Sequence, residues 1–197
     1  LMEYLQRAIL QMANTGAYPV SIAVSLLLMA LGLAIKSAVF PFHSVLPGAH
    51  GSAVASSSAI LSGLLLESYV ILLMKIVIRV YTVEVARALH LFDAFLVLGL
   101  IAMVAGSVCA MGERDLKRML AYSSAAQIGY IYVGLGLGSA EGMVAASFHI
   151  IAHAFTKSML FICAGELMAC SGHSRKFRDL KGAAWRAPLA GVGFTLG

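Results

Sequence analysis

The sequence predicts an all-α fold, a polytopic transmembrane helix bundle in which one helix is broken. Hydrophobic residues make up 60% of the 197 residues and charged residues 12%, whereas a soluble domain has about half apolar and about a quarter charged residues. The mean hydropathy is +0.90. Charged residues interrupt the chain at intervals that leave apolar runs near the roughly 20 residues that a spanning helix needs. We therefore expect lipid to be the solvent of this chain.

The apolar runs divide the chain into about five crossings and the start of a sixth. They cover about residues 18–35, 55–80, 94–111, 119–137 and 142–169, and the last begins near residue 187. The connections between them are short, which favours one compact membrane domain over residues 1–197. Because the sequence begins with Leu1 and stops within an apolar run, we interpret it as a fragment of a longer polypeptide.

The basic residues indicate the orientation of the bundle. Most of them lie in two segments, around the start of the fourth crossing and between the fifth and sixth: Arg114, Lys117, Arg118, Arg175, Lys176, Arg178, Lys181 and Arg186. Two crossings separate these segments, so both lie at the same face, which the positive-inside rule makes cytoplasmic. We therefore expect a multi-pass protein of the cell (inner) membrane. The net charge of +5 forms no basic and aromatic patch, so no nucleic acid partner is expected.

Lys36 ends the first apolar run, directly before Pro41 and Pro47 interrupt the helical pattern. Irregular backbone at membrane depth is tolerated only where it contacts protein or lines a water-filled cavity. A lysine desolvated in such a place can exchange a proton near neutral pH. The alternative is that Lys36 snorkels from a helix end to the membrane interface. His43 and His50, which follow in the break, favour a functional role and are possible accessory groups.

His149, His153 and Lys157 are spaced i, i+4, i+8, which places them along one face of the fifth predicted helix. Imidazoles that titrate near neutral pH, followed by a lysine, are typical of a proton relay on a water-lined face. Two histidines at i, i+4 also fit a metal site, but no HExxH glutamate lies between them and no carboxylate ligand is evident. The sequence favours the relay, with helix-packing histidines as the alternative.

The second predicted helix carries Glu67, Lys75 and Arg79 loosely on one side. An intramembrane ion pair is one interpretation, and coupling of charged groups along an ion pathway is the other, with Lys75 and Arg79 as accessory groups. Lys117 and Arg118 run into the fourth apolar segment without a spacer, which places them at the membrane edge, although a charge run of this kind is usually a solvated turn.

Motifs of soluble enzymes are missing from the sequence, which has no phosphate-binding loop, no dinucleotide-binding fingerprint and no Ser-His-Asp arrangement. The three cysteines lie in apolar stretches without paired spacing: Cys109, Cys163 and Cys170. We expect Gly134, Gly136 and Gly138 to lie in a spanning helix and to let helices approach closely. No catalytic site, cofactor or metal is predicted.

Three segments carry a family resemblance: LGLAIKSAVFPFHSVLPGAH at residues 31–50, ERDLKRMLAYSSAAQIGY at residues 113–130 and FHIIAHAFTKSMLF at residues 148–161. Their order and spacing resemble the antiporter-like, proton-translocating subunits shared by respiratory complex I (NADH:quinone oxidoreductase), membrane-bound hydrogenases and Mrp-type cation/proton antiporters. The resemblance covers most of residues 19–197. It implies two inverted repeats in the whole subunit, each with a broken helix that bears a key lysine.

The resemblance also implies roles for individual residues. Lys36 matches the lysine of the first broken helix, the one proposed to carry and release protons, and Lys117 matches the lysine that opens a later helix. The histidines and lysine that join two half-channels correspond to His149, His153 and Lys157. Glu67 departs from the pattern, because many members have a lysine or histidine there.

The sequence thus predicts a subunit that moves protons, or protons in exchange for Na⁺, within a hetero-oligomeric membrane complex whose redox centres, if any, belong to other subunits. The predicted pathway comprises Lys36, Glu67, Lys117, His149, His153 and Lys157. The alternative is a scaffold or assembly subunit that keeps the fold without conducting, which the acid at position 67 favours.

Overall fold

The computed structural model describes residues 2–16 and 19–197, and within these ranges the chain folds as helices without strands. Ten helices follow in order: α1 Met2–Asn14, α2 Pro19–Lys36, α3 Val45–Ser52, α4 Ala55–Tyr81, α5 Val83–Ala88, α6 Leu91–Gly112, α7 Leu116–Gly136, α8 Ala140–Ala169, α9 Ala183–Arg186 and α10 Pro188–Leu196. Short 3₁₀ turns cover Phe42–Ser44 and Phe177–Leu180. The predicted all-α class is confirmed. Tyr18, where the first crossing was expected to begin, lies outside the described residues.

Four of these helices, α2, α4, α6 and α8, are long and apolar enough to cross a membrane. Helix α7 corresponds to the remaining predicted crossing and has 21 residues, which at about 1.5 Å per residue also reaches across a bilayer core. It is less apolar than the other four because it carries more polar side chains and lies inside the bundle, between α6 and α8, where it contacts protein on most sides. Its Ala121, Ile128 and Tyr132 are fully buried.

The predicted interruption after Lys36 is confirmed. Helix α2 ends at Lys36, and the chain passes through an irregular segment and one 3₁₀ turn before α3 begins at Val45. A buried hydrogen bond of 2.9 Å between Ser37 Oγ and Tyr132 Oη joins the first residue of the break to α7. The end of α2 is therefore held at a defined depth against the central helix.

Helix α4 contains two π-helical turns, at Leu61–Leu65 and Val77–Tyr81. Such turns are rare and often occur at functional sites, because they displace the side chains on either side of the extra residue. The first turn ends two residues before Glu67, and Ser62 within it makes a 2.8 Å hydrogen bond to Ser124 Oγ of α7. Helix α1, which the sequence analysis did not predict, packs against the second turn.

Small residues set the distance between α6 and α7. A Cβ atom on Gly129 would lie 2.6 Å from the backbone nitrogen of Met103, and one on Gly106 would lie 2.7 Å from that of Ala126. Only glycine allows backbones this close, as in other membrane helix pairs. The predicted packing role suits Gly134 and Gly136, which lie in α7, but Gly138 follows that helix in a turn with a φ of +59° and was wrongly assigned to it.

The two basic segments meet at one end of the bundle, as predicted. Arg175 donates from Nε to Asp115 Oδ2 at 3.2 Å, and its backbone oxygen accepts from the nitrogen of Leu116 at 2.9 Å. Asp115 also caps α7 by accepting from the backbone nitrogens of Lys117 and Arg118. We call this region the basic end. The opposite end holds the turn after α7, where Gly138 accepts from the guanidinium group of Arg87 at 3.0 Å.

Candidate functional site

The side chains of His149, His153 and Lys157 face the same cleft, between α8 and α7. The two imidazole rings are nearly parallel, with an interplanar angle of 8° and centroids 6.4 Å apart. His149 Nε2 is hydrogen-bonded to Gln127 Oε1 of α7 at 2.7 Å. The i, i+4, i+8 spacing thus produces one continuous row of ionisable groups along α8.

Glu67 lies beside this row and not beside the other charges of its own helix. His153 Nδ1 is hydrogen-bonded to Glu67 Oε1, and the two residues are almost completely buried, at 4% and 3% exposed. The other polar atoms of the pair, His153 Nε2 and Glu67 Oε2, are buried without a hydrogen-bond partner among the described residues. An acid and a base in contact inside the bundle can hold a proton on either group.

Lys157 is buried one helical turn beyond His153. Its Nζ donates to Ser123 Oγ at 2.7 Å and approaches Leu120 O at 3.5 Å, both on α7. No carboxylate lies within ion-pair distance of this ammonium group in residues 2–16 and 19–197. A buried lysine without a counter-charge is costly inside a membrane helix, so Lys157 calls for a functional explanation.

The cleft has a volume of about 390 Å³, enough for several water molecules. Its polar lining comes from α7 and α8: Ser123, Gln127, His149, His153, Thr156 and Lys157. Oxygen and nitrogen atoms from two helices therefore surround a space in which a chain of hydrogen bonds can form.

Lys117 is buried in the first turn of α7 at the basic end. Its Nζ donates to Ala53 O at 2.7 Å, in the short connection between α3 and α4. This geometry fits the predicted place at the membrane edge. It also shows that Lys117 points into the protein, whereas the side chain of Arg118 pairs with Glu113 at 3.4 Å near the surface.

Lys36 lies away from the cleft. Its side chain is exposed, and no hydrogen bond or ion pair joins it to another side chain within the described ranges. Lys75 and Arg79 are also exposed, on a groove that α4 forms with α8. The ion pair considered for Glu67 with these two residues is not formed, because the second half of α4 turns them outward while Glu67 points to α8.

Both histidines of the break are near the basic half of the bundle. His43 is partly buried and stacks on Phe40, with ring centroids 5.4 Å apart. His50, in α3, is fully buried and stacks on Phe161 of α8 at 4.7 Å. Each has unpaired ring nitrogen atoms in the part of the chain that the structure describes, one in His43 and both in His50.

Sequence reasoning missed the polar residues that α7 contributes. Ser123 and Gln127 are four residues apart, so they share a helix face, and this face completes the cleft. Polar side chains at i, i+4 in an otherwise apolar segment are the signal that could have revealed them. As to metals, no group of three or more His, Cys, Asp or Glu that could hold an ion occurs in the ranges described above.

Comparisons with known proteins concern the family and the fold of this chain. The sequence profile of the family described as "NADH:quinone oxidoreductase/Mrp antiporter, TM" matches residues 3–197. Subunit N of the NADH-quinone oxidoreductase of Desulforudis audaxviator is 34% identical over 171 residues, which are 85% of this chain and 33% of that protein. NAD(P)H-quinone oxidoreductase chain 4 1 of Synechococcus sp. is 33% identical over 95% of this chain and 36% of its own length.

Two solved structures have the same fold. A chain of the membrane-bound sulfane sulfur reductase, an archaeal respiratory membrane complex, superposes with a TM-score of 0.81 and 26% identity, covering 90% of this chain and 36% of that one. A chain of the Mrp complex from Dietzia sp. superposes with a TM-score of 0.72 at 23% identity, covering 88% and 39%. The sequence therefore spans about a third of the length of these relatives.

The family profile matches nearly the whole sequence. The same residues contain the broken helix at Lys36 and the row of ionisable groups on α8. The chain belongs to the NADH:quinone oxidoreductase/Mrp antiporter family of membrane subunits.

Proposed function

We propose that this chain forms part of a proton-translocating subunit, in which ionisable side chains inside the bundle pass protons across the membrane. The buried contact between Glu67 and His153, next to Lys157, is the observation that carries the proposal. An ionisable residue at the centre of a membrane helix costs about 2.5–3.5 kcal/mol by insertion scales. A role in moving protons explains why Glu67, His153 and Lys157 lie next to each other inside the bundle despite this cost.

The proposed pathway has a central part and two outer parts. Glu67, His149, His153 and Lys157 form the centre, where the cleft between α7 and α8 can hold water. Lys117 provides the connection to the basic end. Lys36 serves where the broken helix ends, outside the cleft, so its proton would pass along a chain of water molecules or further side chains to reach the centre.

The subunit would work within a larger membrane complex, since the relatives are named as subunits or parts of such complexes. That complex can be of the complex I type, the hydrogenase-linked type or the Mrp type. In the first two, a redox reaction in other subunits would drive the protons; in the third, protons would exchange with Na⁺. Subunits with iron–sulfur clusters that copurify with the full-length protein would support the redox types.

A vesicle assay tests the proposal. The full-length protein, in its complex, is reconstituted and its proton and Na⁺ flux are measured for the wild type, Lys36→Ala and His153→Ala. Each variant is expected to lose at least nine tenths of the flux, because each interrupts the path at a different place. Lys181→Ala is the matched control, since this exposed lysine lies in a surface turn away from the cleft.

A non-conducting scaffold subunit gives the opposite result. The exposed Lys36 side chain and the acid at position 67, where the family resemblance leads us to expect a base, favour this second function. If Lys36→Ala and His153→Ala both retain the flux of the wild type, the pathway is refuted. Loss of complex assembly in these variants, with no flux through the wild type either, would support the scaffold.

A further inference from the structure

We propose that His50 is the proton-carrying group between Lys117 at the basic end and Lys157 at the central cleft. The proposal rests on the function proposed above and identifies a link that it leaves open, because Lys117 and Lys157 donate to different acceptors and do not contact each other. His50 lies between them: it is three residues from Ala53, whose oxygen accepts from Lys117, and it stacks on Phe161, four residues from Lys157.

The position of His50 is fixed from two sides. Its ring stacks on Phe161, one helical turn beyond Lys157 on α8, with centroids 4.7 Å apart and an interplanar angle of 20°. Three residues further along the chain, Ala53 O accepts from Lys117 Nζ at 2.7 Å. The neighbouring Gly51 O accepts from the guanidinium group of Arg175. Two cationic side chains of the basic end thus hold the last turn of α3, and with it the imidazole, between α7 and α8.

A packing role alone explains His50 poorly. The side chain has 0% exposure, and neither ring nitrogen has a hydrogen-bond partner among the described residues. Leaving a buried polar atom unpaired costs about 1–3 kcal/mol. A phenylalanine at this position could stack on Phe161 without that cost. The imidazole has two nitrogen atoms that can exchange protons, and this property distinguishes it from phenylalanine.

The transfer is balanced in protons and charge. The Lys117 ammonium gives one proton to the free nitrogen of the neutral His50 ring, and the opposite ring nitrogen gives its proton to the neutral amine of Lys157. Lys117 ends neutral, Lys157 ends charged, and His50 ends neutral in its other tautomer. Only N–H bonds form and break, and a water molecule at either step lengthens the path without changing the balance.

The test uses the full-length protein in its complex, reconstituted in vesicles. His50→Phe keeps a ring on Phe161 and removes the exchangeable protons, so proton flux should fall at least tenfold, as in Lys157→Ala, with the amount of assembled complex unchanged. Phe161→Leu removes the stacking partner and keeps the imidazole, so flux should stay within about twofold. His90→Phe, at an exposed histidine near the opposite end, is the matched control. His50→Gln is used if His50→Phe does not assemble.

The outcomes separate this inference from the proposed function. If an assembled His50 variant retains flux while Lys157→Ala loses it, protons reach Lys157 by another route and the role of His50 is wrong. If Phe161→Leu lowers flux as strongly as His50→Phe, the ring acts by packing and the inference is overturned. If Lys157→Ala itself retains flux, the proposed function fails.

Discussion

Replacing Glu67 with leucine tests the buried pair on which the proposed function depends. The change removes the hydrogen-bond partner of His153 Nδ1 and leaves that residue, 4% exposed, with both ring nitrogen atoms unpaired among the described residues. Interhelical hydrogen bonds in a membrane protein average about 0.6 kcal/mol and reach about 1.7. The unpaired imidazole costs about 1–3 kcal/mol. Both figures describe the same lost contact and do not add, so we expect Glu67→Leu to lower the free energy of unfolding by about 1–3 kcal/mol.

His153→Leu, the matching change on α8, should lower stability by a similar amount, but the effects of the two changes should not add in the double variant. His153→Leu leaves the Glu67 carboxyl group buried without a donor, at a comparable cost. In the double variant neither polar group is left unpaired, so it should lose less stability than the two single variants together. The expected coupling energy is about 1–2 kcal/mol, near the highest values for hydrogen bonds between membrane helices.

Unfolding of the purified full-length protein in bicelles, followed by SDS titration, measures this cycle. Lys75→Leu is the control, because this residue lies on the same helix with its side chain exposed, and its replacement should change stability by less than about 0.5 kcal/mol. Additive single effects, with a coupling energy near zero, would refute the contact between Glu67 and His153.

Proton flux through the same variants separates stability from transport. The stable double variant should conduct no protons, because its leucines cannot exchange them. Glu67→Gln keeps a hydrogen-bond acceptor for His153 but does not titrate, so it should fold nearly as well as the wild type and lose most of the flux. Full flux through Glu67→Gln would exclude a proton-carrying role for this residue.

Three further predictions concern the framework of the site. Gly129→Ala should destabilise the bundle by about 1–3 kcal/mol, because the added Cβ would lie 2.6 Å from Met103 N. Gly32→Ala is the control, because its Cβ would meet no atom within 4 Å, and it should leave stability unchanged. Equal effects of the two variants in SDS titration would contradict the close packing. Asp115→Ala should cost about 1–2 kcal/mol through the lost helix cap, whereas Asp115→Asn should keep most of that stability. Tyr132→Phe removes the 2.9 Å bond to Ser37, so amide hydrogen exchange in residues 37–40 should speed up while that of α6 stays unchanged.

Much of the fold follows from composition and spacing. The apolar runs predicted the long helices to within a few residues, for instance 55–80 against Ala55–Tyr81 and 142–169 against Ala140–Ala169, because in lipid only a helix satisfies the backbone of such a run. The π turns of α4 could not be predicted, since they add one residue to a turn without altering the apolar pattern. Helix α1 was missed because its apolar residues recur at helical spacing among polar ones and form no continuous apolar run.

In the candidate site, the arrangement within one helix could be predicted from the sequence, but the contacts between helices could not. The row of His149, His153 and Lys157 could be derived from the sequence because the 3.6-residue period fixes which side chains of one helix share a face. The partner of Glu67 could not, because it lies 86 positions along the chain on a different helix. The same holds for His50, whose place between two lysines depends on how α3 packs on its neighbours.

The sequence by itself determined that this chain is a membrane helix bundle with a break after Lys36 and a row of ionisable groups on α8, since these properties depend on residue type and local spacing. Only the tertiary structure decided that Glu67 turns to His153 and not to Lys75, that Lys36 stands apart from the cleft, and that α7 lies at the centre. The physical reason is that contacts between helices depend on their rotation and depth, which are set by the close packing of Gly106 and Gly129 and by polar contacts such as Ser37 with Tyr132.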